Sequence, residues 1–230
     1  MNRTMSSVGE IECLDSLLES WESTFPTEKF HFNRDGIISS EHWSKANLKI
    51  LFVLKETNGA NQDVVKAITR ALSSKNSGWW RGQVLRRVGR WAYGLMNYSG
   101  NVPSFEDAKA NGKEATWGVA YINMRKTAGR ARTEQKSFDA HVKEYAPYIR
   151  RQIELIEPDI VVLGGTFKSV KTHIFPGMEH VCKRIHRHNR IVFINAFHPA
   201  AVVNSTHIYH QVLDSYHNYR DNFAAESEIT

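Results

Sequence analysis

Ile50-Leu51-Phe52-Val53-Leu54-Lys55-Glu56-Thr57-Asn58-Gly59-Ala60-Asn61 sets five consecutive apolar residues against a polar, glycine-bearing tail. An apolar run of that length without alternation reads as a strand buried on both faces, which is the habit of a parallel sheet covered by helices. The tail supplies the turn formers that end it. Working outward, three more runs repeat the pattern: residues 117–122 ending at Asn123, residues 160–163 closed by Gly164-Gly165, and residues 190–194 ending in Asn195-Ala196-Phe197-His198-Pro199. Helical patterns fill the intervals, at residues 63–72, 84–96, 166–173 and 206–221. The clearest spans 138–157, where Val142, Tyr145, Ala146, Ile149, Ile153 and Ile156 recur at helical spacing before Pro158 stops it. Strands alternating with helices predict an α/β fold: one domain, with a central, mostly parallel four-stranded sheet flanked by helices. Residues 97–113 are rich in turn formers and receive no element. Ahead of the first strand, Ile11, Leu14, Leu17, Leu18 and Trp21 mark an amphipathic helix, so residues 1–47 read as a helical extension of a core spanning about 48–221.

The bulk properties narrow the function classes. At 230 residues, 41% hydrophobic and 23% charged, the chain is globular and long enough for one α/β domain. A net charge of +6 points to a polyanionic partner. No apolar run reaches the ~18 residues of a membrane span, and residues 1–12 lack an apolar signal core, so a cytoplasmic monomer away from membranes is expected. Cys13 and Cys182 read as reduced thiols, and the spacing of His207, His210 and His217 completes no ligand set, so neither metal nor cofactor is expected. Walker and dinucleotide glycine patterns are absent.

Sites in open α/β sheets lie beyond the C-terminal strand ends. Three polar segments follow strand ends here, at 55–61, 123–126 and 195–198, and should converge on one cleft. In this order they resemble the uracil-DNA glycosylase superfamily, most closely its thermostable bacterial and archaeal branch. Residues 54–63 are similar to that branch's first motif, a strand followed by Gly-Glu-Ala-Pro-Gly-Ala-Asn-Glu-Asp. Tyr121-Ile122-Asn123-Met124-Arg125-Lys126 resembles its strand-then-asparagine element, residues 153–165 its long helix and central strand, and Phe197-His198-Pro199-Ala200 its closing His-Pro-Ser motif. The likeness covers about residues 48–203. Lys55 stands where glycine is usual, Asn58 where proline is usual and Ala200 where serine is usual, and the branch's four cluster cysteines are missing. A divergent member is implied, whose base need not be uracil.

The resemblance implies a monofunctional enzyme that flips an abnormal base out of DNA and hydrolyses its bond to the sugar, leaving an abasic site. Extrusion costs a few kcal/mol, and cleavage leaves negative charge on the base and positive charge on the sugar. Glu56 would position or deprotonate water, with Asn58 as the other candidate. Its alternative is a surface carboxylate paired with Lys55. His198 would donate to the departing base, or else satisfy its own loop. Asn123 would read the base edge with its amide, or merely end a strand. Trp79 or Trp80 would stack on the base, or fill the core. Gly59, Ala60 and Asn61 would shape the pocket, and without a Tyr or Phe in that loop a bulky modified pyrimidine fits. Glucosylated hydroxymethylcytosine of phage DNA is the example, since the pattern is also similar to bacterial anti-phage glycosylases. Arg125, Lys126, Arg130 and Arg132 in one basic segment, and Lys183, Arg184 and Arg187 in another, would contact phosphates. Repair of uracil or deaminated bases, and a silent DNA-binding member of the fold, stay open as alternatives.

Overall fold

Four parallel strands form where the apolar runs lie: β2 (Ile50–Leu54), β3 (Val119–Asn123), β4 (Ile160–Gly164) and β7 (Ile191–Ala196). The structure is a computed structural model and describes residues 13–25, 31–57, 63–74, 82–129 and 133–223. Strand alternation sorts the apolar side chains into two layers. Ile50, Phe52 and Leu54 pack with α3 (Val64–Ser73), α4 (Gln83–Met96), α5 (Phe105–Ala115) and α9 (Ser205–Asn222). Leu51 and Val53 pack on the opposite face with α1 (Leu14–Glu22), α6 (Gln135–Glu144) and α7 (Ala146–Ile156). Val119 and Tyr121 of β3 and Ile160 and Val162 of β4 follow the first layer, while Ala120, Ile122, Val161 and Leu163 follow the second.

The expectation of a four-stranded sheet is corrected to seven strands of mixed direction, in the order β1-β3-β2-β4-β7-β6-β5. β1 is the two-residue Gly36–Ile37, antiparallel to β3. β5 (Glu179–Cys182) and β6 (Ile185–His188) form an antiparallel hairpin on the outer edge of β7. The sequences Glu-His-Val-Cys and Ile-His-Arg-His carry too few apolar residues to announce strands, because an edge hairpin buries little of either face. The described residues 13–25 and 31–47 pack into the fold and are no appendage. Leu17 and Trp21 are fully buried, and Asp35 lies beneath the sheet end.

Two helices also differ. The pattern over 138–157 breaks at Tyr145 into α6 and α7, since Pro147 lies in the first turn of α7, where its missing N–H costs nothing. α5 went unread because its apolar stripe is weak, yet Ser104 caps it by accepting from the Asp107 N–H. The expected helix at 166–173 is one α-helical turn, α8 (Phe167–Ser169), continued by a wider π turn over Val170–Ile174.

From β2 the chain passes to β3 on one side, then lays β4 and β7 on the other. The switch point therefore falls between the C-terminal ends of β2 and β4, where a ligand crevice is expected.

Candidate active site

Asn123 is the last residue of β3 and lies opposite Leu54 in the ladder. Its side chain is 1% exposed, and neither its amide oxygen nor its amide nitrogen has a hydrogen-bond partner among the described residues. Leaving a buried polar group unpaired costs about 1–3 kcal/mol, so such an amide marks a place where something else pairs with it. The backbone beneath it is held firmly, since Asp35 Oδ2 accepts from the Asn123 N–H at 2.8 Å. Two residues back on the same face, Tyr121 walls a cavity of about 250 Å³ with Ile68, Val84 and Leu85.

His198 reaches this crevice because β4 ends in two glycines. A Cβ on Gly164 would lie 3.1 Å from Pro199 Cδ, and one on Gly165 would lie 3.0 Å from His198 Cβ. Gly165 also adopts φ +73°, which favours glycine. With no side chain there, the loop after β7 leans back over the end of β4, where Gly164 also abuts Leu54 of β2. The Ala200 N–H donates to His198 Nδ1 at 3.1 Å. In the neutral ring, Nε2 then carries the proton and acts as donor. Burial, and after it the nearby Lys55 ammonium, push the His198 pKa down to about 4. At neutral pH the site therefore presents an uncharged hydrogen-bond donor.

Three features of this loop were not legible as functional. Arg87 of α4 is buried and donates to the backbone oxygens of Pro199, Ala201 and Val203. Val202 projects wholly into solvent. Phe197 is 38% exposed, with the Arg184 guanidinium 5.2 Å above its ring. Arginine in a helical pattern reads as a solvated face, and a lone valine in a loop carries no sequence signal.

Glu56 is held away from solvent. Its side chain is 4% exposed, receives Arg125 Nη1 at 2.9 Å and Thr133 Oγ1 at 2.8 Å, and packs against the backbone of Gly129. The surface pairing with Lys55 is thereby corrected, since Lys55 donates to Gln135 instead. This geometry makes Glu56 an anchor for the loop after β3 and gives water little access to it. Arg125, 15% exposed, also donates to Ser137 Oγ.

Lys126 overturns its reading as a phosphate contact. It is fully buried, with its ammonium bonded to Asp35 Oδ1 and to Gln152 Oε1 at 2.8 Å and lying 4.9 Å from the centre of the Trp21 ring. Burial lowers its pKa, while Asp35 opposes that shift. The other basic segment is a hairpin and not a loop. Lys183 and Arg184 form its turn at the site end, beside Asn195. Arg187 lies three residues down β6, opposite Val192 and Glu179, roughly 10 Å from the turn at strand rise. A groove of about 630 Å³ beside the turn is lined by Lys183, Arg184, Asn195, His207, His210 and Asp214, and His210 and Asp214 pair at 3.3 Å. Asn58, Gly59, Ala60, Asn61, Trp79, Trp80, Arg130 and Arg132 lie outside the described residues. Among the described residues, no helix is long and apolar enough to cross a membrane. No family model and no curated protein matches the chain.

Proposed function

We propose that this chain is a DNA glycosylase that hydrolyses the bond between a flipped-out, non-canonical base and its sugar. One observation carries the reading: a buried amide without a partner among the described residues, Asn123 at the end of β3, lies on the same C-terminal edge of the parallel strands as a neutral histidine whose Nε2–H is the free donor. An amide offers a donor and an acceptor, which matches a base edge. The cavity walled by Tyr121, two residues before Asn123 in β3, gives the base an apolar seat. As the glycosidic bond breaks, its electron pair leaves with the base, and the sugar becomes an oxocarbenium ion. His198 donates to the oxygen where the negative charge gathers, and the Lys55 ammonium adds a favourable field. Water then adds to the sugar carbon, and the proton it loses passes through solvent to neutralise the departed base anion. Asn58 and Glu56 are the groups proposed on that side, Glu56 chiefly by fixing the loop through Arg125.

Val202, four residues after the histidine in the same loop, suits a wedge that takes the place of the extruded base, as apolar side chains do when they unstack a base step. Lys183 and Arg184 provide phosphate contacts on the same rim. The favoured base is a bulky modified pyrimidine such as glucosylated hydroxymethylcytosine, because the sequence of residues 57–61 holds no Tyr or Phe, and the biological role is then defence against phage DNA. Removal of uracil or another deaminated base is the second reading. It is favoured by the apolar walls Ile68, Val84 and Leu85, which would leave the hydroxyls of a sugar substituent unpaired.

Duplexes containing uracil, hypoxanthine, hydroxymethylcytosine or its glucosylated form, scored for abasic sites, test both readings. Release of the glucosylated base supports the first, and release of uracil alone supports the second. Binding without release from any duplex leaves a silent DNA-binding protein.

A further inference from the structure

We infer that Arg87 is the positioning residue that holds His198 and Val202 in their working pose. The inference rests on the glycosylase reading for its purpose but not for its geometry. Arg87 lies on α4, a different layer of the fold from the β7 end, and is 3% exposed. Its Nη1 donates to Pro199 O at 3.0 Å and to Ala201 O at 2.8 Å, its Nη2 donates to Val203 O, and Nε and Nη2 both reach Ser205 Oγ, at 3.3 and 3.2 Å.

The carbonyls of alternate residues 199, 201 and 203 thus converge on one planar cation. A segment whose oxygens all turn inward presents its intervening side chains outward, and Val202 is the fully exposed one. The same wrapping closes the tight turn in which the Ala200 N–H meets His198 Nδ1 and the Ala201 N–H meets His198 O. That turn selects the histidine tautomer. Gln83, one helical turn before Arg87, adds a bond to Ala201 O at 3.3 Å.

Only a guanidinium spreads five N–H donors in one plane, whereas lysine offers three from a point. Methionine at 87 would fill similar space and donate nothing. The neutrality of His198 depends on how deeply the loop holds it, and its pKa of about 4 offers a substrate-free readout.

The test compares wild type, Arg87→Met and Arg87→Lys by NMR titration of the His198 ring and by single-turnover base release, with thermal melting to confirm folding. The expected result is a His198 pKa that rises from about 4 toward its ordinary value of 6.5 in Arg87→Met, and by less in Arg87→Lys. Base release should slow on the order of 10²-fold, as misplacement by about 1 Å does elsewhere, with little change in DNA affinity. If Arg87→Met does not fold, Arg87→Lys decides by the same two measurements. A folded variant with an unmoved His198 titration and a normal release rate overturns the inference. If the wild-type chain releases no base, the glycosylase reading fails, and the titration still decides whether Arg87 sets the histidine.

Discussion

Two basic segments border the C-terminal end of the sheet, and the fold uses them in opposite ways. After β3, Arg125 and Lys126 turn inward. Arg125 meets Glu56 and Lys126 meets Asp35 and Gln152, with no side chain more than 15% exposed in either ion pair. After β5, Lys183 and Arg184 turn outward on an edge hairpin, and neither has a carboxylate within ion-pair reach among the described residues. In sequence the two look alike. The difference is which layer lies opposite. Glu56 after β2, Asp35 before β1 and the Gln152 amide of α7 lie against the first pair, while the second pair caps a sheet edge facing solvent. A cluster of Lys and Arg therefore indicates nucleic-acid contact only where the surroundings supply no countercharge.

The largest effect should come from breaking the inward pair. Asp35→Asn or Lys126→Met leaves a buried charge unmatched, which costs about 3–5 kcal/mol. Asp35 also holds the Asn123 N–H, so base release should fall with stability. Denaturant unfolding checks it. A Lys126→Met protein of normal stability but weakened DNA binding would show that Lys126 works as a surface phosphate contact after all.

Next in size is the site itself. His198→Ala should slow base release by 10²–10³-fold, the usual cost of losing one donor to a developing anion. Asn123→Leu should also abolish base selection. Unlike the Asp35 change it should leave stability unchanged or raise it, because it removes an amide that has no partner among the described residues. Single-turnover rates and melting temperatures, measured together, separate these outcomes. A strongly destabilised Asn123→Leu would mean that the amide has a structural partner.

The division between inward and outward charge was the part the sequence concealed. The four parallel strands were legible because each holds at least four consecutive apolar residues, and the expectation that Asn123 and His198 share one cleft rests on strand ends alone. The hairpin was not, since an exposed edge needs no apolar alternation. Nor was Arg87, whose partners are backbone oxygens more than 110 residues away and leave no pattern in the chain. Lys126 could have been suspected from its place three residues after a buried strand, but its partner Asp35 immediately precedes a two-residue strand that propensity cannot find.

A smaller effect is expected from acid, and it samples both sides of the comparison. Burial and then the charges of Arg125 and Lys126 push the His141 pKa down to about 4, and burial with Lys55 does the same to His198. Both rings are neutral when folded, whereas in the unfolded chain each takes up a proton near its ordinary 6.5. The unfolded state therefore binds more protons between these values. Their contribution to stability is complete above about pH 6.5 and falls away as the pH drops toward 4. His141→Phe should flatten the decline in unfolding midpoint between pH 7 and pH 4.5. An unchanged slope would mean that His141 titrates normally.

The smallest effect tests the outward pair most directly. Each phosphate neutralised contributes about 0.7–0.9 to the slope of log affinity against log salt. Lys183→Ala and Arg184→Ala should each lower that slope by about that amount, with folding and the single-turnover rate at saturating protein unchanged. Arg187→Ala should leave it alone, because Arg187 lies roughly 10 Å down the hairpin, across from Glu179. Arg184 should cost more affinity than Lys183, since its guanidinium is already fixed by Phe197 and the Asn195 carbonyl and loses less freedom on binding. A slope reduced equally by all three variants would extend the DNA footprint along the whole hairpin. A slope reduced by none would place the DNA on the opposite rim and return the basic character of the 125–133 loop to consideration.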